Sequence, residues 1–308
     1  MSSRLATTLC GISLRTPVLA ASGTYAYGVE FKKLTDLSAL GGIVVKGLSR
    51  EPMDGNAPPR LYETEGGMMN SIGLQNIGVR AFVADKLPAL RETGTAIFAN
   101  VFGYSVEDYL EVVRVLEDAE GVAAYELNVS CPNTKHGGIF FSSDPALVSE
   151  LVGAIRAKSR RPLVVKLSPN VARIEPVARA AADAGADAIS LVNTFVALAI
   201  DVKTRRPRIA NVTGGLSGPA IKPIAVRMVW EAAKAVKLPV IGMGGIATPE
   251  DAVEFLLAGA AAVEIGTASY ADPRAVERLT KGLEAWCSGN HVERVTELTG
   301  GIRLDPPK

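Results

Sequence analysis

Short apolar runs recur along the chain at residues 17–21, 42–46, 96–100, 125–129, 162–166, 188–192, 239–242 and 262–265. The runs are continuous stretches rich in Val, Ile and Leu instead of alternating ones, the pattern of a strand covered on both faces. The segments between them carry helical spacing. Residues 144–159 open on Asp144-Pro145, and residues 249–258 follow Thr248, which is placed to cap them, and open on Pro249-Glu250-Asp251. Eight strands alternating with helices predict parallel β/α winding. A weak internal repeat favours a closed (β/α)8 barrel over an open doubly wound sheet. Residues 161–166 lead through a helix to Ala184-Gly185-Ala186-Asp187 and a strand, and residues 238–242 lead through another to Ala258-Gly259-Ala260-Ala261 and a strand.

Two stretches exceed a minimal barrel, at about residues 48–80, rich in Gly, Pro and Asn, and about 194–218. Both follow strand C-termini, where barrel loops build active sites, and read as functional insertions. The length of 308 residues and 48% hydrophobic content suit one large core, a single domain over residues 1–308. A net charge of +1 without a basic run argues against a nucleic-acid partner. The N-terminal residues contain no apolar segment of signal or membrane-spanning length, so a cytoplasmic location away from the membrane is expected. Cys10, Cys131 and Cys287 are too scattered for a disulfide framework or an iron–sulfur cluster.

Polar or small residues stop most of the strands at one end: Ser22, Lys46, Asn100, Asn128, Lys166, Asn193 and Gly244. One such residue is an ordinary loop start; seven converging on a barrel mouth form a site. Gly242-Met243-Gly244-Gly245 follows a strand and opens a helix, but its glycines lack the spacing of a dinucleotide fingerprint. With Gly266-Thr267 after the last strand it matches a barrel phosphate site, where backbone N–H groups meet an anion. His136 and His291 have no partners at ligand spacing, so no metal is expected.

The run Glu126-Leu127-Asn128-Val129-Ser130-Cys131-Pro132-Asn133 resembles the signature of class 1 dihydroorotate dehydrogenases, whose catalytic base is a cysteine. The similarity extends to Ala21-Ser22-Gly23, Val45-Lys46-Gly47, Asn70-Ser71-Ile72-Gly73-Leu74-Gln75-Asn76, Lys166-Leu167-Ser168-Pro169-Asn170, Asn193-Thr194 and Gly214-Gly215-Leu216-Ser217-Gly218. Gln75, the Lys135-His136-Gly137-Gly138 continuation and the residues after Gly218 resemble class 1B, the heteromeric type.

The resemblance implies an FMN-dependent enzyme that oxidises (S)-dihydroorotate to orotate in pyrimidine biosynthesis, with Cys131 taking the proton and FMN the hydride. It places Ser22, Lys46, Gly47, Asn100, Asn128, Lys166, Val192 and Gly218 at the flavin, and Gly244, Gly245, Gly266 and Thr267 around its phosphate or ribityl chain. It places Lys46, Asn70, Ser71, Ile72, Gly73, Leu74, Asn128, Asn133, Asn193 and Thr194 at the substrate. Asparagine amides both donate and accept, matching the N–H and C=O edge of a pyrimidine. The loop at about 132–142 is expected to close over the substrate. Class 1B also implies a homodimer in which each copy binds a subunit carrying FAD and a [2Fe–2S] cluster, a heterotetramer that passes electrons to NAD. The alternatives are a fumarate-linked class 1A enzyme, a related dihydropyrimidine or dihydrouridine oxidoreductase, and a non-enzymatic binding subunit.

Overall fold

A computed structural model describes residues 3–129 and 144–304. Eight parallel strands close into a barrel in the order β10-β15-β16-β3-β4-β7-β8-β9. They are β3 (Val18–Ala20), β4 (Gly42–Val44), β7 (Ala96–Val101), β8 (Ala124–Asn128), β9 (Leu163–Lys166), β10 (Ala188–Leu191), β15 (Val240–Met243) and β16 (Ala262–Ile265). Each coincides with one of the eight apolar runs to within about a residue or two. Nearly every residue in them is buried, as expected of strands packed on both faces.

The outer layer is helical. In α3 (Val106–Glu117) Tyr109, Val112, Val113 and Leu116 are buried, in α4 (Pro145–Arg156) Val148, Leu151, Val152 and Ile155, and in α6 (Lys222–Ala235) Ala225, Met228, Val229 and Ala232. All three follow the i, i+3, i+4, i+7 spacing of one helix face. Further helices are α1 (Val79–Ala81), α2 (Leu87–Arg91), α5 (Glu175–Asp183), α7 (Pro249–Leu257), α8 (Ala268–Ala271) and α9 (Ala275–Gly289). Thr248 caps α7 as its sequence predicts: its side chain accepts from the Asp251 N–H, and the Asp251 carboxylate accepts from the Thr248 N–H, a capping box.

The barrel interior is stratified by the two-residue period of a strand. Leu19, Val44, Phe98, Ala124, Val164, Ala188, Ile241 and Ala262 form one apolar cluster with a residue from every barrel strand. A hairpin of β1 (Thr7–Leu9) and β2 (Ile12–Leu14) adds Leu9 and Leu14 and plugs this end. Its two-residue turn, Cys10-Gly11, has φ of 49° and 79°, the left-handed pair that joins tightly twisted strands and that glycine relieves at its second position. Gly42 leaves room for the plug, since a Cβ there would lie 2.9 Å from the Phe98 ring. The sequence patterns did not reveal the hairpin, whose strands are three residues each.

The two insertions are joined. β5 (Leu61–Thr64) and β6 (Gly67–Asn70) come from the first, β11 (Phe195–Ala197) and β14 (Gly214–Ser217) from the second, and they pair as one antiparallel sheet, β11-β14-β6-β5. A small ladder of β12 (Ile200–Asp201) and β13 (Arg206–Pro207) extends from it. The glycines of β14 permit this approach: a Cβ on Gly215 would lie 2.0 Å from the Thr194 hydroxyl, and one on Gly214 2.7 Å from the Asn70 carbonyl.

Candidate active site

Two residues beyond each member of the apolar layer, along the same strands, stand Ala21, Lys46, Asn100, Glu126, Lys166, Ser190, Met243 and Glu264. Equal spacing along parallel strands puts them on the same inward face, one layer nearer the C-terminal mouth. This layer is largely polar. Above it opens a cavity of about 870 Å³, within the range of small-molecule sites of roughly 300–1,000 Å³.

Every residue assigned from sequence to the flavin lines this cavity: Ser22, Lys46, Gly47, Asn100, Asn128, Lys166, Val192, Gly218, Gly244, Gly245, Gly266 and Thr267. Of those assigned to the substrate, Asn70, Ile72, Gly73, Leu74, Asn193 and Thr194 line it too. Ser71 does not. It is fully buried among its own loop's contacts, with its N–H donating to the Arg60 carbonyl and its carbonyl accepting from the Asn56 amide. Side chains in extended backbone alternate faces, so when Asn70 and Ile72 face the cavity Ser71 turns away. Cys131, Asn133 and the loop at about 132–142 lie outside the described residues.

The two lysines differ in their surroundings. Lys166 is 5% exposed, with its ammonium 3.5 Å from Glu126 Oε1 and 3.8 Å from Glu264 Oε2. Burial alone would lower its pKa; the negative charges of Glu126 and Glu264 outweigh that and raise it. Lys46 is half-buried and has no ion pair among the described residues. Burial, and then the positive charge of Arg60, hold its pKa below the ordinary lysine value. An ammonium so placed, without a carboxylate, is a receptor for an anionic ligand.

Asn100 donates from Nδ2 to Glu126 Oε1 at 2.6 Å, while its buried Oδ1 has no partner among the described residues. Gly47 keeps that approach open, because a Cβ there would come within 2.9 Å of the same oxygen. Across the mouth, Gly218, Gly244 and Gly245 have φ of 100°, 121° and 84°, and a Cβ on Gly245 would lie 2.8 Å from the Gly218 carbonyl. Only glycine holds this wall, whose backbone is presented bare to the cavity. The Thr267 hydroxyl donates to Ser217 Oγ at 2.8 Å, tying the last strand's loop to the inserted sheet. Asn193, at the end of the strand next to that wall, reaches Asn128 Oδ1 from its Nδ2 at 3.5 Å, and Gly73 and Leu74 turn the backbone with φ of 75° and 58°. An unpaired ammonium, an orphaned amide oxygen and a glycine-bared wall together fit a large, polar, phosphorylated cofactor.

Sequence reasoning did not assign Tyr62, Met68, Ser217 or Tyr270 to the site, although all line the cavity. It quoted Glu126 within a motif without giving it a role, and it missed Glu264. The signal was available: each is a lone carboxylate inside an otherwise apolar strand. The thiol of Cys10 stands apart from this chemistry. Burial first, then the Asp187 charge, push its pKa up to about 11, and it contacts the Asp187 carbonyl at 3.3 Å. It is a packed side chain of the plug, not a nucleophile. Among the described residues no group of three or more His, Cys, Asp or Glu could hold a metal ion, and no helix is long and apolar enough to cross a membrane.

A closed (β/α)8 barrel with a charged, glycine-walled cavity at the C-terminal ends of its strands defines the class, a barrel protein with a small-molecule site at its mouth. The profile of the dihydroorotate dehydrogenase family matches residues 4–286, and the chain belongs to that family. A protein of Solibacter usitatus with the provisional name dihydroorotate dehydrogenase A (fumarate) is 65% identical over 304 residues, covering 99% of this chain and all of the relative. Catalytic subunits named dihydroorotate dehydrogenase B (NAD(+)) are 52% identical in Geobacter sulfurreducens, over 97% of this chain and 98% of the relative, and 51% identical in Geobacter sp. strain M21, over 96% and 97%.

Proposed function

We propose that the chain oxidises (S)-dihydroorotate to orotate in pyrimidine biosynthesis, with FMN as its cofactor. The observation that carries the reading is the Lys46 ammonium, held partly desolvated and without an ion pair among the described residues, beside a cavity lined by Asn70, Asn128 and Asn193. It supplies a charge for a carboxylate or an electron-rich ring, and the amides supply alternating donors and acceptors for a pyrimidine edge. FMN, when bound, supplies the hydride acceptor. Asn100, Gly47, Lys166, Val192 and Gly218 would hold the flavin, and Gly244, Gly245, Gly266 and Thr267 its phosphate or ribityl groups. Cys131 takes the acidic proton beside the substrate carbonyl. A thiol near its ordinary pKa of about 8.5 is partly ionised at neutral pH, so turnover rises with pH until the thiolate is fully formed. Lys166 offers a fixed positive charge where electrons accumulate, and the walls exclude water.

The electrons leave to NAD through an FAD and iron–sulfur subunit bound to a homodimer of this chain, in the cytoplasm. The names of the Geobacter relatives support this. So does the apolar surface of the second insertion, where Val196, Leu198, Ile200 and Val202 are 49–83% exposed. The name of the Solibacter relative favours a second reading, direct reoxidation by fumarate. One experiment separates them: dihydroorotate turnover by the purified chain with NAD, fumarate or quinone, with and without co-expressed candidate subunit. NAD reduction only in the complex supports the first reading, and fumarate reduction by the chain alone establishes the second. A purified chain that binds no flavin and leaves dihydroorotate unchanged with every acceptor overturns both.

A further inference from the structure

Lys166 and Asn100 line the cavity, whereas Glu126 and Glu264 lie behind them and do not. Both carboxyls are 1% exposed. Lys46, the other lysine of this layer, pairs with neither carboxyl among the described residues, so if both were ionised the one Lys166 ammonium would face two carboxylates, a local surplus of negative charge in a dry interior. Such surplus charge is expensive to bury, and the ordinary relief is uptake of a proton by the carboxyl least served by donors.

The hydrogen bonds identify that carboxyl. Glu126 accepts from Asn100 Nδ2 at 2.6 Å and from Ser190 Oγ at 2.8 Å, and it has the Lys166 ammonium at 3.5 Å. Neither oxygen of Glu264 has a hydrogen-bond partner among the described residues, and its nearest cation is Lys166 at 3.8 Å. Glu126 and Glu264 lie within hydrogen-bonding reach of one another with no donor between them, an arrangement that a proton satisfies. Burial pushes the Glu264 carboxyl well above the usual carboxylate range, and the Glu126 charge adds to that.

We propose that Glu264 is a positioning residue that keeps a proton and donates it in a hydrogen bond to Glu126, so that the Lys166 ammonium faces one carboxylate and its buried cluster carries no surplus negative charge. The bond holds Glu126 in place, and Glu126 holds the Lys166 side chain toward the cavity. Were Glu264 ionised, the surplus charge beside Lys166 would weaken the attraction of its ammonium for the electron-rich group the cavity is built to receive. This second part of the inference rests on the flavin reading; the location of the proton does not.

The test has two arms. Infrared spectra of the protein as purified at neutral pH, wild type against Glu264→Gln, should show a protonated-carboxyl C=O stretch that shifts in heavy water and is lost in the variant. Absence of that band, or its survival in Glu264→Gln, overturns the proposal whether or not flavin is bound. The second arm measures FMN dissociation constants. Glutamine is neutral, similar in shape and still a donor, so Glu264→Gln should change affinity by less than about threefold. Glu264→Ala removes the donor and should weaken binding at least about tenfold, or about 1.4 kcal/mol. Equal weakening in both variants would mean that a negative charge had been needed; no weakening in Glu264→Ala would mean that the residue positions nothing. Either result rejects the role. If the wild-type chain takes up no FMN, the cofactor reading fails and the infrared arm alone decides where the proton resides.

Discussion

At the base of the barrel, Val44, Phe98, Ala124, Val164 and Ala262 pack with the hairpin residues Leu9 and Leu14 into a dry plug. One step of two residues along the same strands, the layer under the mouth holds Lys46, Asn100, Glu126, Lys166 and Glu264. Backbone hydrogen bonding is continuous through both ends, so the difference lies wholly in the side chains. The base buries apolar surface at roughly 25 cal/mol per Å² and supplies stability. The mouth holds a desolvated ammonium and glycines at positive φ, which oppose stability and serve binding. Stability and chemistry are thus separated by a few ångströms along each strand, and substitutions should sort accordingly.

The largest expected effect breaks the base. Phe98 is 1% exposed and spans the plug, so Phe98→Ala should lower folding stability by about 3–5 kcal/mol. Chemical denaturation measures it; a loss below about 1 kcal/mol would show that the plug is not a main source of stability. Next, at the mouth, Cys131→Ala should slow dihydroorotate oxidation at least about 100-fold, equivalent to about 2.7 kcal/mol, while flavin and orotate still bind. Wild-type rates in rapid-mixing reduction would place the base elsewhere.

A smaller effect sharpens the contrast. Lys46→Met should weaken orotate binding by about tenfold yet raise the melting temperature of the ligand-free protein at neutral pH. The folded pKa of Lys46 lies below its unfolded value, so folding of the protonated form is disfavoured. Wild-type stability should therefore climb relative to the variant as pH rises through the folded pKa toward the unfolded value of about 10.4. A variant less stable than wild type at neutral pH would contradict this. The smallest effect belongs to neither end. On the outer helices Glu111 meets Arg114 at 2.8 Å and Arg80 at 2.5 Å, which hold its carboxyl down at about 2. Because that pKa is depressed, the contribution is present above the unfolded value and lost as pH falls toward 2. Glu111→Gln should lower the melting temperature by no more than about 2 °C at neutral pH and converge on wild type in acid.

The barrel strands and part of the cavity lining were readable because each obeys a local rule: apolar runs for the barrel strands, and polar or small residues such as Ser22, Lys46, Asn100 and Lys166 where those runs stop. Val192, Gly218 and the stretch from Ile72 to Leu74 were reached only through the family resemblance. What was hidden depends on pairing between distant segments. Nothing local in Gly214-Gly215 announces a strand, and its β14 exists because β6 and β11 flank it. Ser71 does not line the cavity as its neighbours do, because adjacent members of a motif inherit one role in a resemblance, whereas the backbone sends them to opposite faces. Glu264 was missed because a single carboxylate in Ala262–Ile265 acquires meaning only when closure of the ring brings it to Lys166.

The seam of that ring lies between β16 and β3, where Val263 pairs with Val18 and Glu264 with Leu19. During synthesis the first barrel strand emerges nearly 250 residues before its neighbour, because 263 and 18 differ by 245 positions. Until the last strand arrives, the nascent half-barrel holds two unpaired edges, the kind of surface that recruits chaperones or other chains. Such long-range closure is slow compared with local β/α pairing. Pulsed hydrogen exchange during refolding should find the amides of β3 and β16 protected together and after those of β7 and β8; simultaneous protection would mean that the ring forms in one event. The seam that completes the Lys166 layer is then also the latch of the fold, and the chemistry cannot be assembled before the chain is whole.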